Sequence, residues 1–125
     1  MTTPERTLAI RGVYALADTS LLAGAELFRR VAAALRGGAA VVQSRDKSAD
    51  AARRLDEATA LRALCRQHGA AFIVNDDIDL AERVGADGVH LGQDDAPPAL
   101  ARARLGETAL IGATRYNRLE LAAPA

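Results

Sequence analysis

The 125-residue sequence predicts an α/β protein of parallel strands joined by helices. Three observations carry that expectation. Short apolar runs alternate with amphipathic stretches along most of the chain. The runs are continuous rather than alternating in polarity, as in strands covered on both faces. Each run also ends in polar residues: Asp18, then Gln43 to Lys47, then Asn75 and Asp76, then Gln93 to Asp95, then Thr114.

The elements follow in order. "GVYALAD" (12–18) reads as the first strand, and "GAELFRRVAAALRGG" (24–38) as a helix with Leu27, Val31, Ala34 and Leu35 on one stripe, stopped by Gly37 and Gly38. "AAVVQSRDK" (39–47) is a second strand with a polar end. Residues 48–69 form a long amphipathic helix with Leu55, Ala58, Leu61 and Cys65 inward, capped by Ser48 or Asp50 and ended at Gly69. A third strand covers 70–76, and a short helix over 77–86 puts Ile78, Ala81 and Val84 on one face. A fourth strand covers 87–93. Pro97 and Pro98 suit the start of a helix over 95–106, because early helical positions need no N–H partner. A fifth strand covers 108–114, and Asn117 is positioned to cap one more helix, "RLELAA".

Composition narrows the function. Aromatic residues are 3% of the chain, so the core is built from Ala, Val, Leu and Ile. A formal net charge of zero argues against a nonspecific nucleic-acid binder. No apolar run reaches the length of a membrane span, and "MTTPERTLAI" lacks the apolar segment of a signal peptide, so a cytoplasmic protein is expected. Cys65, the one cysteine, stands at helical spacing from Leu61 and reads as a core residue. No linker interrupts the pattern: residues 1–11 are expected as a flexible N-terminal segment and 12–125 as one domain.

Two architectures suit this alternation, an open doubly wound sheet and a (β/α) barrel. Both place ligands at the carboxyl ends of parallel strands, so the polar ends are expected to share one rim. In "QSRDK", Gln43, Arg45 and Lys47 are two apart and project to one side of an extended backbone. Arginine supplies a planar fork for phosphate and lysine a mobile charge. Asn75 can both donate to and accept from a heteroaromatic edge. Asp76 and Asp95 suit magnesium, a hard cation held by one or two carboxylates together with substrate phosphates. Helix capping competes for the aspartates, and residue types alone leave open which two of Asp76, Asp77, Asp94 and Asp95 cap. His90 reads as a packed strand residue and His68 as a helix-terminal one, which makes zinc a poor fit. No GxGxxG follows the first strand.

The blocks "YALAD", "GGAAVVQSRDKS", "ALRALCRQHGAAFIVNDDIDLAERVGADGVHLGQDDAP" and "IGATRYN" resemble, in order, consecutive blocks of the thiamine phosphate synthase family. The resemblance implies a TIM barrel, (β/α)8, of which this chain would hold about the first five β/α units. It also implies the joining of hydroxymethylpyrimidine diphosphate to hydroxyethylthiazole phosphate, with magnesium as cofactor and small-molecule substrates as partners. The implied chemistry begins with loss of diphosphate, leaving a pyrimidine cation that the thiazole nitrogen captures. By position, Gln43, Ser44, Arg45, Asp46 and Lys47 match the segment that holds the pyrimidine diphosphate, with Arg45 and Lys47 steadying the departing charge. Asn75 matches a pyrimidine contact, Asp76 and Asp95 match the magnesium ligands, and Thr114 stands where the family usually has a substrate-contacting serine.

Ser44 replaces the usual Leu or Tyr, and Arg115 adds charge at a strand end. The later strand units of the family are not in this sequence. A truncated, weak or inactive monomer is therefore expected, with self-association or a complementing chain at the unpaired edges of the first and fifth strands. A thiazole tautomerase-like relative and a noncatalytic half-barrel are the alternatives.

Overall fold

A computed structural model describes residues 13–19, 24–92, 95–115 and 118–122. They belong to two compact units, Met1–Phe72 and Ile73–Ala125. The fold class is the α/β arrangement of parallel strands and connecting helices that the sequence predicts.

In the first unit, β1 (Val13–Asp18) leads through α1 (Gly24–Arg36) to β2 (Ala39–Arg45), and β2 leads to α2 (Ala51–Gln67). β1 and β2 are parallel, with Tyr14 opposite Val41, Leu16 opposite Gln43 and Asp18 opposite Arg45. Leu27, Val31 and Leu35 are the buried stripe of α1. Asp50 caps α2 by accepting from Arg53 N at 3.0 Å, and Ser48 Oγ in turn accepts from Asp50 N. The buried stripe of α2 is Glu57, Ala58, Leu61 and Cys65; Leu55 is only half-buried, so Glu57 takes the place expected for an apolar side chain.

β3 (Ala71–Asn75) bridges into the second unit, where α3 (Ile78–Val84), β4 (Gly88–Leu91), α4 (Pro98–Leu105) and β5 (Leu110–Arg115) follow. The ladders β3–β4 and β4–β5 are parallel. Phe72, Ile73, Val89, Leu91 and Ile111 are among the most buried side chains. Arg104 of α4 bonds both Asp79 and Glu82 of α3 at 2.7 Å.

One expectation is corrected. Residues 118–122, expected to be helical, form β6 (Arg118–Ala122), antiparallel to β5 with Arg115 opposite Arg118. The segment Arg-Leu-Glu-Leu-Ala alternates with period two, and an isolated helix of that length is unstable in water. Asn117, the expected cap, lies outside the described residues. The edge of the fifth strand, expected to be unpaired, is therefore covered by β6. Among the described residues no helix is long and apolar enough to cross a membrane.

Candidate functional site

The carboxyl ends of β1 and β2 and the loop entering α2 enclose a cleft of about 470 Å³, lined by Asp18, Thr19, Arg45, Asp46, Lys47, Ser48 and Arg53. Its position follows from the ladder: Asp18 and Arg45 are register partners at the last residues of their strands. Thr19 N then donates to Arg45 O at 3.1 Å and ties the two ends together. The lining sets three cations, Arg45, Lys47 and Arg53, against two carboxylates, Asp18 and Asp46. The amino end of α2 adds the positive end of a helix dipole.

β2 stops at Arg45, so Lys47 reaches the cleft from a loop rather than from the extended strand that the spacing predicts. The stop has a local cause. Asp46 Oδ1 accepts from Ser48 N at 2.8 Å, and this side-chain turn competes with continued strand pairing. Gln43 is buried, and its Nε2 donates to Tyr14 Oη at 2.6 Å. Burial raises the Tyr14 phenol above its ordinary range, against a smaller opposing effect of the Gln43 bond. Ser44 is also buried, and strand alternation turns it to the face opposite Gln43 and Arg45.

In the second unit, Asn75 ends β3 opposite His90 of β4. Asp76 follows in a left-handed backbone conformation, φ 65°, and its N–H donates to His90 O at 2.8 Å. Asp77, not Asp76, caps α3, accepting from Leu80 N at 2.9 Å. This settles one of the two ambiguous pairs, and it leaves Asp76 off the helix. At the next strand end Pro97 occupies the cap position of α4 with no side-chain cap bond. Asp95 instead braces the turn, its Oδ2 accepting from Gly92 N at 2.6 Å. Burial lowers the His90 imidazole below its ordinary value, and the Asp95 carboxylate acts in the opposite direction. Gln93, Asp94 and Tyr116 lie outside the described residues, and Thr114 stands in β5 one residue before its end.

The expected residues therefore fall into two groups: Gln43, Ser44, Arg45, Asp46 and Lys47 in the first unit, and Asn75, Asp76, Asp95 and Thr114 in the second. Arg53 is an addition to the cleft that sequence reasoning misses, and so is the burial of Glu57 on α2. Glu57, Leu61 and Cys65 are four apart, which is the signal that could have placed Glu57 on the buried face.

Parallel strands joined by helices, with a cleft at the carboxyl ends of β1 and β2, define an α/β protein of the kind that places its site at strand ends. The family model described as thiamine monophosphate synthase matches residues 13–125, and the chain belongs to that family. It is 59% identical over 113 residues to a thiamine-phosphate synthase of Chromobacterium violaceum, covering 90% of this chain and 54% of that protein. Against the thiamine-phosphate synthase of Thioalkalivibrio sulfidiphilus it is 58% identical over the same shares. A solved thiamine phosphate pyrophosphorylase from Pyrococcus furiosus superimposes with a TM-score of 0.74 at 36% identity, covering 83% of this chain and 50% of that one. The chain thus spans about half the length of the relatives it matches. That is in keeping with the first β/α units of a (β/α)8 barrel.

Proposed function

We propose that the chain carries the pyrimidine diphosphate and magnesium portion of a thiamine phosphate synthase. The reaction is transfer of the pyrimidine methylene group from diphosphate to the nitrogen of hydroxyethylthiazole phosphate. The observation that carries this reading is the cleft, where Arg45, Lys47 and Arg53 converge beside the amino end of α2. Breaking the carbon–oxygen bond places growing negative charge on the diphosphate. Fixed cations stabilise that charge without reorganising, so Arg45 and Lys47 act as electrostatic catalysts rather than as acids or bases. Gln43 and Asp46 belong to the segment assigned to this substrate, as does Ser44 from the opposite face of β2, and Asn75 and Thr114 are assigned to the pyrimidine.

Asp76 and Asp95 fit magnesium by donor chemistry, since both offer hard carboxylate oxygens from half-buried positions. Among the described residues no group of three or more His, Cys, Asp or Glu could hold a metal ion alone. That suits a cation that takes its remaining ligands from water and phosphate. When bound, the ion would neutralise diphosphate charge. Self-association or a complementing chain belongs to the same proposal, with a further strand adding beside β1, which among the described residues pairs with β2 alone. A cytoplasmic location also belongs to it.

Isothermal titration of the folded chain with magnesium and hydroxymethylpyrimidine diphosphate tests the proposal. Binding is expected, weakened roughly 10- to 100-fold in Arg45→Ala, the range for losing a hydrogen bond to a charged group. Absence of heat from a folded chain would refute it.

A further inference from the structure

Glu57 lies in the second turn of α2, on the buried stripe with Leu61 and Cys65, and is only 9% exposed. A carboxyl group in that position has no role in packing an apolar core, and its Oε1 has no hydrogen-bond partner. Asp46, the residue that shapes the loop between Arg45 and Lys47, has a side chain only 6% exposed. Its Oδ1 accepts from Ser48 N, while Oδ2 has no hydrogen-bond partner and meets Arg53 Nε only at 4.0 Å. Each of these two buried carboxyl groups thus leaves one oxygen unsatisfied, and Arg53, one turn before Glu57 on α2, stands beside Asp46. A single proton between them satisfies both oxygens and removes the repulsion of two charges.

We propose that Glu57 is a positioning residue for the Arg45–Lys47 loop, its protonated carboxyl group donating a hydrogen bond to Asp46 and so holding the turn that Asp46 makes with Ser48. The charged groups acting on Glu57 are Asp46, from the loop after β2, and Arg53, one turn back on α2; Arg54 precedes it by three residues on the same helix. Burial contributes most to raising the Glu57 carboxyl above its ordinary value, Asp46 adds to it, and Arg53 opposes. Glu57 touches no substrate on this reading; it acts through Asp46. Its meaning for catalysis rests on the assignment of Arg45 and Lys47 to diphosphate, but its structural content does not.

The sign of the pH dependence follows from the raised value. Between the ordinary glutamic acid range and that raised value, the folded chain keeps a proton that the unfolded chain has lost. The stabilisation is complete below this interval and falls as pH rises through it. Three chains test the idea: wild type, Glu57→Gln, which keeps a donor at every pH, and Glu57→Met, which keeps the volume without one. In wild type, the urea midpoint and the exchange protection of the Ser48 amide are expected to fall with rising pH through the interval. Relative to wild type, Glu57→Gln is expected to lack that fall. Glu57→Met is expected to lose Ser48 protection roughly fivefold to tenfold at low pH, the worth of one hydrogen bond. A Glu57→Met chain that matches wild type, or a wild-type midpoint that tracks Glu57→Gln across pH, overturns the proposal. Should Glu57→Met fail to fold, the comparison with Glu57→Gln decides. Titration with inorganic diphosphate separates the two readings. If no chain binds it while the Ser48 pattern appears, the positioning role stands and the diphosphate assignment falls.

Discussion

Replacing Gly88 with alanine is expected to part β4 from β5. A Cβ at Gly88 would stand 1.8 Å from Leu110 O and 2.6 Å from Leu110 C. The obstacle is backbone, so no side chain can turn aside to relieve it. Gly88 and Leu110 are register partners at the start of the β4–β5 ladder, and Leu110 N also donates to Asp87 O at 2.9 Å. Making room therefore breaks ladder bonds as well as packing around Val89 and Ile111, both nearly fully buried. The cost is expected at or above the upper end for overpacked cores, about 3 kcal/mol. Urea unfolding measures it, and hydrogen exchange should show protection lost first at the β4 and β5 amides. A Gly88→Ala chain within about 0.5 kcal/mol of wild type, the range of an inconsequential surface change, would contradict this account of the ladder.

The second large effect is expected at Phe72. Phe72 is fully buried, and among the described residues it is the largest fully buried side chain, with Leu27, Leu61 and Ile73 next. Truncation to alanine removes the burial of an aromatic ring and leaves a cavity, at about 3–5 kcal/mol in proteins generally. A domain of ordinary stability has only about 5–15 kcal/mol in total. A loss of that size lowers the urea midpoint by at least about 1 M for a typical small-protein slope. Phe72→Leu, which keeps most of the volume, should recover more than half of the loss. Equal destabilisation by both substitutions would show that the aromatic ring matters for a reason other than cavity volume.

Much of the fold is legible because punctuation and burial agree. Gly37 and Gly38 follow α1 directly, Pro97 and Pro98 open α4, and the apolar residues 41–42 of β2 and 71–74 of β3 are buried on both faces. What sequence reading misses depends on partners distant in the chain or on one local bond. The segment 118–122 fits a helix or a strand by composition, and pairing with β5 decides. Lys47 leaves the strand because Asp46 folds back onto the Ser48 amide. Glu57 is hidden by its charge, which argues for exposure although its spacing argues for burial. Among the aspartates, capping is resolved only by geometry: Asp77 bonds Leu80 N, while Asp95 bonds Gly92 N in the turn before α4. The substrate and metal roles come from family resemblance, since residue types alone allow a cap and a ligand equally well.

The left-handed backbone at Asp76 has a bearing on how this chain would evolve under different pressures. Such a conformation costs an L-residue roughly 1–2 kcal/mol, less for Asp than for most, and glycine adopts it without penalty. Selection for thermal robustness alone would therefore drift toward glycine at this position. That drift would delete one of the two carboxylates assigned to magnesium. On the proposed magnesium role, an aspartate at a glycine-like position trades stability for activity, and a library sorted only for folding would be blind to its loss.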